Sequence, residues 1–164
     1  MRLEFVDIDG LSEVAEMADV IWHEYFPCIL TGPQIDYMVD RFQSERAMRE
    51  QVSEKGYRYA FIVDGDRRVG YTGISTSDGK LFISKLYLLK ENRGKGYGSA
   101  ALDMLFDLGR EEGLSVAYLT VNKHNDIAIR TYGSKGFRTI QSIVTDIGEG
   151  FVMDDYVMEK VLRS

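Results

Sequence analysis

Arg93-Gly94-Lys95-Gly96-Tyr97-Gly98-Ser99-Ala100 is the stretch whose reading decides the fold. A strand-like run, Leu81 to Leu89, precedes it, and a helical pattern from Gly98 to Glu112 follows. Three glycines around a lysine let the backbone turn tightly and aim successive N–H groups into one concavity. Bulky side chains at 94, 96 and 98 would block close approach and resist positive φ. A nest of this kind at a helix start holds an anion, because its amides are unpaired and the helix dipole is positive there. The ligand this implies is a phosphate.

Glycine loops of three kinds compete for the stretch. The P-loop pattern G-x-x-x-x-G-K-[ST] has no matching spacing in the chain. Gly96-Tyr97-Gly98-Ser99-Ala100-Ala101 does read G-x-G-x-x-A, but that fingerprint needs an acid at the end of the next strand to bind a ribose hydroxyl. The next strand, Ser115 to Val121, runs into Asn122-Lys123-His124, and the segments before the loop read as antiparallel hairpins. Context therefore rejects a dinucleotide site. The third pattern, R-x-x-G-x-G, is filled by Arg93, Gly96 and Gly98. About thirty residues on stands a second block, Asn125-x-x-Ala128-x-x-x-Tyr132-x-x-x-Gly136-Phe137.

The first motif resembles the coenzyme A pyrophosphate loop of the GNAT superfamily of N-acetyltransferases. The second is similar to the Asn, Tyr and Gly-Phe pattern that follows the fifth strand in that family. The two come in the right order, separated by one strand, and the likeness runs from about Tyr59 to Lys160. It implies acetyl-CoA as co-substrate, no metal, and a primary amine of a small molecule as acceptor, acetylated by direct transfer. It also implies that the strand before the loop splays away from the next one. The pantetheine arm would then pair with main-chain groups of Leu86, Tyr87 and Leu88, one of whose amides polarises the thioester. The diphosphate would sit on Arg93, Gly94, Lys95, Gly96, Tyr97, Gly98 and Ser99. Asn125 matches the residue that bonds pantetheine, and equally suits a helix N-cap. Tyr132 matches the general acid; a phenol near ~10 can pass a proton to a thiolate whose acid is near ~8.5. A packed helix tyrosine beside Phe137 is the duller reading. Many relatives carry a glutamate on the strand before the loop, but this strand reads Phe82-Ile83-Ser84-Lys85-Leu86. A base must come from Glu24, Asp154 or Asp155 through water, or the amine arrives neutral.

The 164 residues, 45% hydrophobic and 28% charged, suit one domain spanning 1–164. A net charge of −6 disfavours nucleic acid and anionic membrane as partners and attracts cations. Cys28 alone excludes an internal disulfide, and no basic-apolar leader or membrane-length apolar run is seen, so a cytoplasmic enzyme is expected. Exposed strand ends in such a fold can pair two subunits, which admits a homodimer.

Periodicity places the remaining elements. Leu3 to Ile8 alternates as a strand. Leu11, Val14, Ala15, Ala18, Ile21, Trp22 and Tyr25 recur at helical spacing up to Pro27. Gly32-Pro33 starts a helix whose face is Ile35, Met38, Val39 and Phe42, and Ser44 to Lys55 is a charged helix closed by Gly56. Strands follow at Tyr57 to Val63 and Val69 to Thr76, with Asp-Gly turns at 64–65 and 78–79. After the strand at 115–121 come a short helix, Asn125 to Lys135, and a closing hairpin, Phe137 to Asp146 and Phe151 to Lys160. The order suits a mixed α/β sheet, antiparallel at first and parallel at the splayed central pair.

Trp22, Tyr25, Phe26 and Tyr37 surround the break between the first helices, where relatives build the acceptor pocket; Glu24 and Asp154 are the acids set beside it. Such aromatics are as often core. Asp146, Glu149, Asp154, Asp155 and Glu159 make the last hairpin acidic enough to hold a polyamine or amino-sugar, although charge in a turn is commonly just solvated. The whole chain, including its closing block Asp146 to Tyr156, looks most like the bacterial branch that includes polyamine (spermidine/spermine) acetyltransferases. A protein or peptide amine, an aminoglycoside, or a non-catalytic coenzyme-binding module are the alternatives. His23-Glu24 opens like a zinc motif, but Pro27 replaces the second histidine, and Cys28 has no linked base.

Overall fold

In chain order the elements are β1 (Arg2–Phe5), α1 (Leu11–Tyr25), α2 (Gly32–Met38), α3 (Glu45–Lys55), β2 (Arg58–Asp64), β3 (Arg67–Ser77), β4 (Lys80–Leu88), α4 (Tyr97–Glu111), β5 (Val116–Asn122), α5 (Asp126–Ser134), β6 (Arg138–Gly148) and β7 (Phe151–Val161). They are taken from a computed structural model that describes residues 1–162. The strands form one sheet in the order β1-β2-β3-β4-β5-β7-β6. Only β4 and β5 run parallel; every other neighbouring pair is antiparallel, as the sequence reading expects.

Local chemistry sets most boundaries. The buried stripe of α1 is Leu11, Val14, Ala18, Ile21 and Trp22, and Pro27 prevents its continuation. Thr31 Oγ1 accepts from Gln34 N at 3.3 Å to cap α2, and Ser44 Oγ accepts from Ala47 N at 3.2 Å to cap α3. Gly56, at φ +70°, ends α3 in the left-handed conformation. Asp78 and Gly79 both take positive φ, +52° and +75°, which makes the tight turn between β3 and β4.

Helices cover both faces. On one, α1 and α3 bury Leu11, Val14, Ala18, Ile21 and Met48 against Tyr59, Phe61, Val63 and Tyr71. On the other, α4 lays Leu102, Leu105 and Phe106 on Ile83, Ala117, Leu119 and Met158. Covered on both sides, β2 is buried at five successive positions, Tyr59 to Val63, instead of alternating.

Two expectations are corrected. The first strand stops at Phe5 instead of reaching Ile8, because Asp7 Oδ1 accepts from the amides of Asp9 (3.1 Å) and Gly10 (3.2 Å) and bends the chain into a 3₁₀ turn. The helix opened by Pro33 changes at Val39–Gln43 into a wider π turn. There the Phe42 carbonyl accepts from Lys85 Nζ at 2.6 Å and from Gln51 Nε2 at 3.1 Å, and the buried Gln43 amide accepts from Tyr71 Oη at 2.9 Å. These outside partners hold the turn open.

The feature that positions the site is a parting of strands. β4 and β5 pair only at Lys80↔Val116, Leu81↔Ala117 and Phe82↔Tyr118. Just beyond, the β3–β4 register shifts, so that Ile83 and Lys85 pair with neighbouring β3 residues and Ser84 is extra. A bulge of this kind sharpens the twist and turns β4 away.

Lys85, beside the bulge, is 5% exposed and donates to the Phe42 carbonyl, to Gln51 Oε1 at 2.9 Å and to the Tyr59 hydroxyl. Burial, helped by Lys55, lowers its pKa to about 7. The folded value lies below the unfolded one, so this group makes the fold gain stability as pH rises from about 7 toward 10.5. Without the ammonium, Tyr59 Oη still donates to Gln51 Oε1, and Gln51 Nε2 to Phe42 O. Lys85→Met therefore leaves no orphan. It is expected to raise the unfolding midpoint, and by more at pH 6 than at pH 9, the difference being on the order of 2 kcal/mol. Thermal melts at the two pH values check this; destabilisation at pH 6 contradicts it.

Candidate active site

On the side facing β5, β4 has no strand partner after Phe82, while its other edge stays bonded to β3 through Leu86, Tyr87 and Leu88. The loop Arg93 to Gly96 closes the far end of this gap. Gly94 and Gly96 have φ of +75° and +85°. Gly96 is the N-cap of α4 and supplies no capping side chain, and Ala100 N bonds Gly96 O at 3.1 Å. The amides of Tyr97, Gly98 and Ser99 thus have no acceptor within the helix. No atom lies within 4 Å of where a Cβ on Gly94 or Gly96 would stand. Lys95 is exposed and joins no ion pair among the described residues. These donors, open space and a free cation fit an anionic group such as a diphosphate.

Two loop side chains are used otherwise than the sequence reading expects. Tyr97 donates its hydroxyl to Asp64 Oδ2 at 2.5 Å, which leaves only its amide for the loop. Arg93 turns inward: Nε donates to Leu88 O at 3.1 Å, and the guanidinium lies 4.6 Å from the Tyr25 ring centroid. Its Nη2 and the neighbouring Asn92 Oδ1 are buried without hydrogen-bond partners. Such groups are costly unless something polar reaches them.

Across the gap, Asn125 caps α5 by accepting from Ala128 N at 3.3 Å, and the same Oδ1 accepts from Tyr25 Oη at 2.7 Å. Tyr25 thereby links the end of α1 to the start of α5, with Arg93 against its ring. Burial raises its pKa, opposed by the Asn125 bond and by Arg93. Tyr132, on α5, packs edge-on to Phe137 at 5.7 Å between ring centroids, and burial, then Tyr25, holds its phenol above the ordinary range. Tyr87 is raised likewise by burial and by the nearby Tyr132, Tyr25 and Asp155. Three phenols and one carboxylate thus converge on the opening from α1, β4, α5 and β7.

Trp22 and Phe26, proposed from sequence as acceptor contacts, are 4% and 5% exposed. They stack on each other at 4.3 Å, and Trp22 Nε1 donates to Tyr71 Oη at 3.2 Å. With Ile35, Met38 and Ile147 they form the wall that carries Tyr25 and Tyr87. Glu24 is exposed, off the buried stripe of α1. Asp154 is also not in the cleft: its carboxylate is 2.6 Å from Lys123 Nζ, which lies over the Tyr156 ring on the α4–α5 face. Much of the acidity of the last hairpin is spoken for locally, since Asp146 accepts from Gly148 N and Glu159 pairs with Arg138.

Asp155 has no such partner among the described residues and is 5% exposed. Sequence reasoning left it among three acids. One signal in the sequence marks it: it has the strand parity of Phe151 and Met153, which face α1 and α2, whereas Asp154 has that of Tyr156 and Met158. The Tyr25–Asn125 bond carries no local signal at all.

The match to a family model for the acetyltransferase (GNAT) family covers residues 15–137. A Bacillus subtilis protein described as the uncharacterized N-acetyltransferase YobR is 28% identical over 97 residues, covering 52% of this chain and 39% of its own length. The chain therefore spans about two fifths of that relative. Among solved structures, the PaiA N-acetyltransferase of Thermoplasma acidophilum in complex with coenzyme A superposes with a TM-score of 0.78 at 18% identity, covering 98% of this chain and 99% of the other. A spermidine N-acetyltransferase SpeG chimera from Vibrio cholerae and hSSAT gives 0.71 at 15%, covering 99% and 96%. With three quarters of its length inside the family model and the splayed β4–β5 pair in place, this chain belongs to the GNAT family of acetyltransferases.

Proposed function

We propose that the protein moves the acetyl group of acetyl-CoA directly to the primary amine of a small molecule. The observation that carries the reading is the opening beyond Phe82, with the unpaired amides of α4 on its β4 side and Asn125 and Tyr132 of α5 on its β5 side. Bound acetyl-CoA supplies an activated acyl group. For this chain's part, Gly94 to Ser99 hold the diphosphate, and the Leu86 to Leu88 edge of β4 offers main-chain groups to the pantetheine and thioester. Tyr132 keeps its proton through neutral pH and releases it only to a base as strong as a desolvated thiolate. Nothing near the opening is an activated nucleophile, since Cys28 is exposed in the α1–α2 connection; this favours a ternary complex over an acetyl-enzyme.

Among small amines, polyamines are the class suggested by the likeness of the whole chain, its closing hairpin included, and a spermidine acetyltransferase chimera shares the fold. The paired state of Asp154 and Glu159 leaves fewer carboxylates for an extended polycation than the composition promises. Thiol release from acetyl-CoA against polyamines, amino acids, aminoglycosides and peptides decides among them. Coenzyme binding with no transfer to any amine would show a non-catalytic module.

Tyr132→Phe should lower kcat by about 100-fold while the coenzyme Kd stays within about two-fold; full activity removes the acid assignment. Gly96→Ala meets no neighbour, so it should cost about 1 kcal/mol of stability through backbone strain, a few degrees in Tm. It should weaken coenzyme binding by about ten-fold, because the methyl occupies ligand space. Calorimetric titration and a thermal melt read both effects, and unchanged affinity would place the diphosphate elsewhere.

A further inference from the structure

Each acid near the opening has a distinct fate. Glu24 is exposed outside the buried stripe of α1, and Asp154 is bound by Lys123 on the opposite face of β7. No acid lies on β4, whose cation beside the bulge, Lys85, is enclosed by Gln51, Tyr59 and the Phe42 carbonyl. Asp36 and Asp19 are engaged by His23 on the outer side of α1 and α2. Asp155 is the exception. It pairs across from Asn122, further along β5 than the last β4–β5 pair at Tyr118, so it stands one strand behind the open part of the gap, level with it, and its charge reaches Tyr87 of β4. Its side chain is on the α1–α2 face, shared with Met153, Phe151 and Tyr87. It is 95% buried by its 5% exposure, and no hydrogen bond contributes to holding its charge.

We propose that Asp155 is the general base of the transfer, taking the proton from the acceptor's ammonium at the mouth of the β4–β5 gap. The inference rests on the acetyltransferase reading above and adds the residue that reading lacks. An Oδ of Asp155 accepts a proton from the ammonium nitrogen, directly or through one water. The freed lone pair forms the C–N bond as the C–S bond breaks, and the thiolate takes the Tyr132 proton. The second amine proton returns through water to the Tyr132 phenolate, and Asp155 gives its proton to solvent, so that both groups are restored and one proton is released per turnover.

The charge environment agrees with the role. The groups near Asp155 are Asp154 on its own strand, Lys123 after β5, and Tyr87 on β4, which in turn feels Tyr132 of α5 and Tyr25 of α1. Burial first, then Asp154, raises its pKa to about 6 against the pull of Lys123. It is thus ionised at neutral pH yet more basic than an ordinary carboxylate, the poise that proton abstraction favours. A buried carboxylate that accepts no hydrogen bond is otherwise an unexplained cost. One ammonium would relieve it.

The test compares 2-phenylethylamine with 2,2-difluoro-2-phenylethylamine, whose fluorines leave the amine largely unprotonated near neutral pH. The full chain and its Asp155→Asn and Asp155→Glu variants are assayed at about pH 7.5. Asp155→Asn should lower kcat/KM by about 100-fold for the first amine and by less than about five-fold for the second, with Asp155→Glu between. In the wild type, kcat/KM for the first amine should rise with pH through a limb near 6 that Asp155→Asn lacks. Equal losses for the two amines, or a retained limb, would mean a structural role and overturn the proposal. Coenzyme binding by wild type without transfer to either amine also overturns it while leaving the coenzyme site standing; absence of coenzyme binding overturns both.

Discussion

Main-chain polar groups need partners, and β4 and β5 decline to supply each other's after Phe82. The rest of the structure follows from that refusal. β4 stays with β3 as far as Leu88, and β5 stays with β7 along its whole length to Asn122. The sheet is therefore two ribbons joined by three residue pairs, each twisting in its own right. The Ser84 bulge starts the divergence, and the aromatic wall of Trp22, Phe26 and Tyr87 fills the α1–α2 side so that the ribbons cannot close.

A gap of this kind collects polar side chains that the two cores exclude. Asn92 and Asn125, on its two sides, and Asp155, one strand behind on β7, are each less than 10% exposed. Tyr25 ties two of its rims, with its hydroxyl on Asn125 and its ring under Arg93. That link joins α1 to both motifs read from the sequence. Lys85 differs in kind: it is enclosed by the π turn and α3, where it shapes the bulge from behind and has no view of the gap.

Much of the fold was legible because its signals are local. The Gly94–Gly96 turn, the helix starts at Gly32 and beside Ser44, the Asn125 cap and the Gly56 stop all stand where sequence placed them. Failures came where a side chain diverted the backbone. Asp7 ended β1 early by capping a turn, although the alternation continued to Ile8. The second helix widened at Val39–Gln43 because distant donors, Lys85 and Gln51, compete for its carbonyls. Periodicity registers where apolar residues fall; it does not register which carbonyl a remote amine will take.

The site divides along the same line. Sequence alone determined the glycine turn, the strand before it, the helix that Asn125 caps and Tyr132 rides, and with them the family, since glycine conformations and helix caps depend on neighbours in the chain. Only the tertiary structure decided that β7 enters between β5 and β6, which sets Asp155 on one face and Asp154 on the other. Only it joined Tyr25 to Asn125 across a hundred residues and turned Arg93 inward. The reason is physical: backbone geometry is set by the nearest residues, whereas burial, and with it the basicity of a carboxylate, is set by whatever the rest of the chain brings alongside.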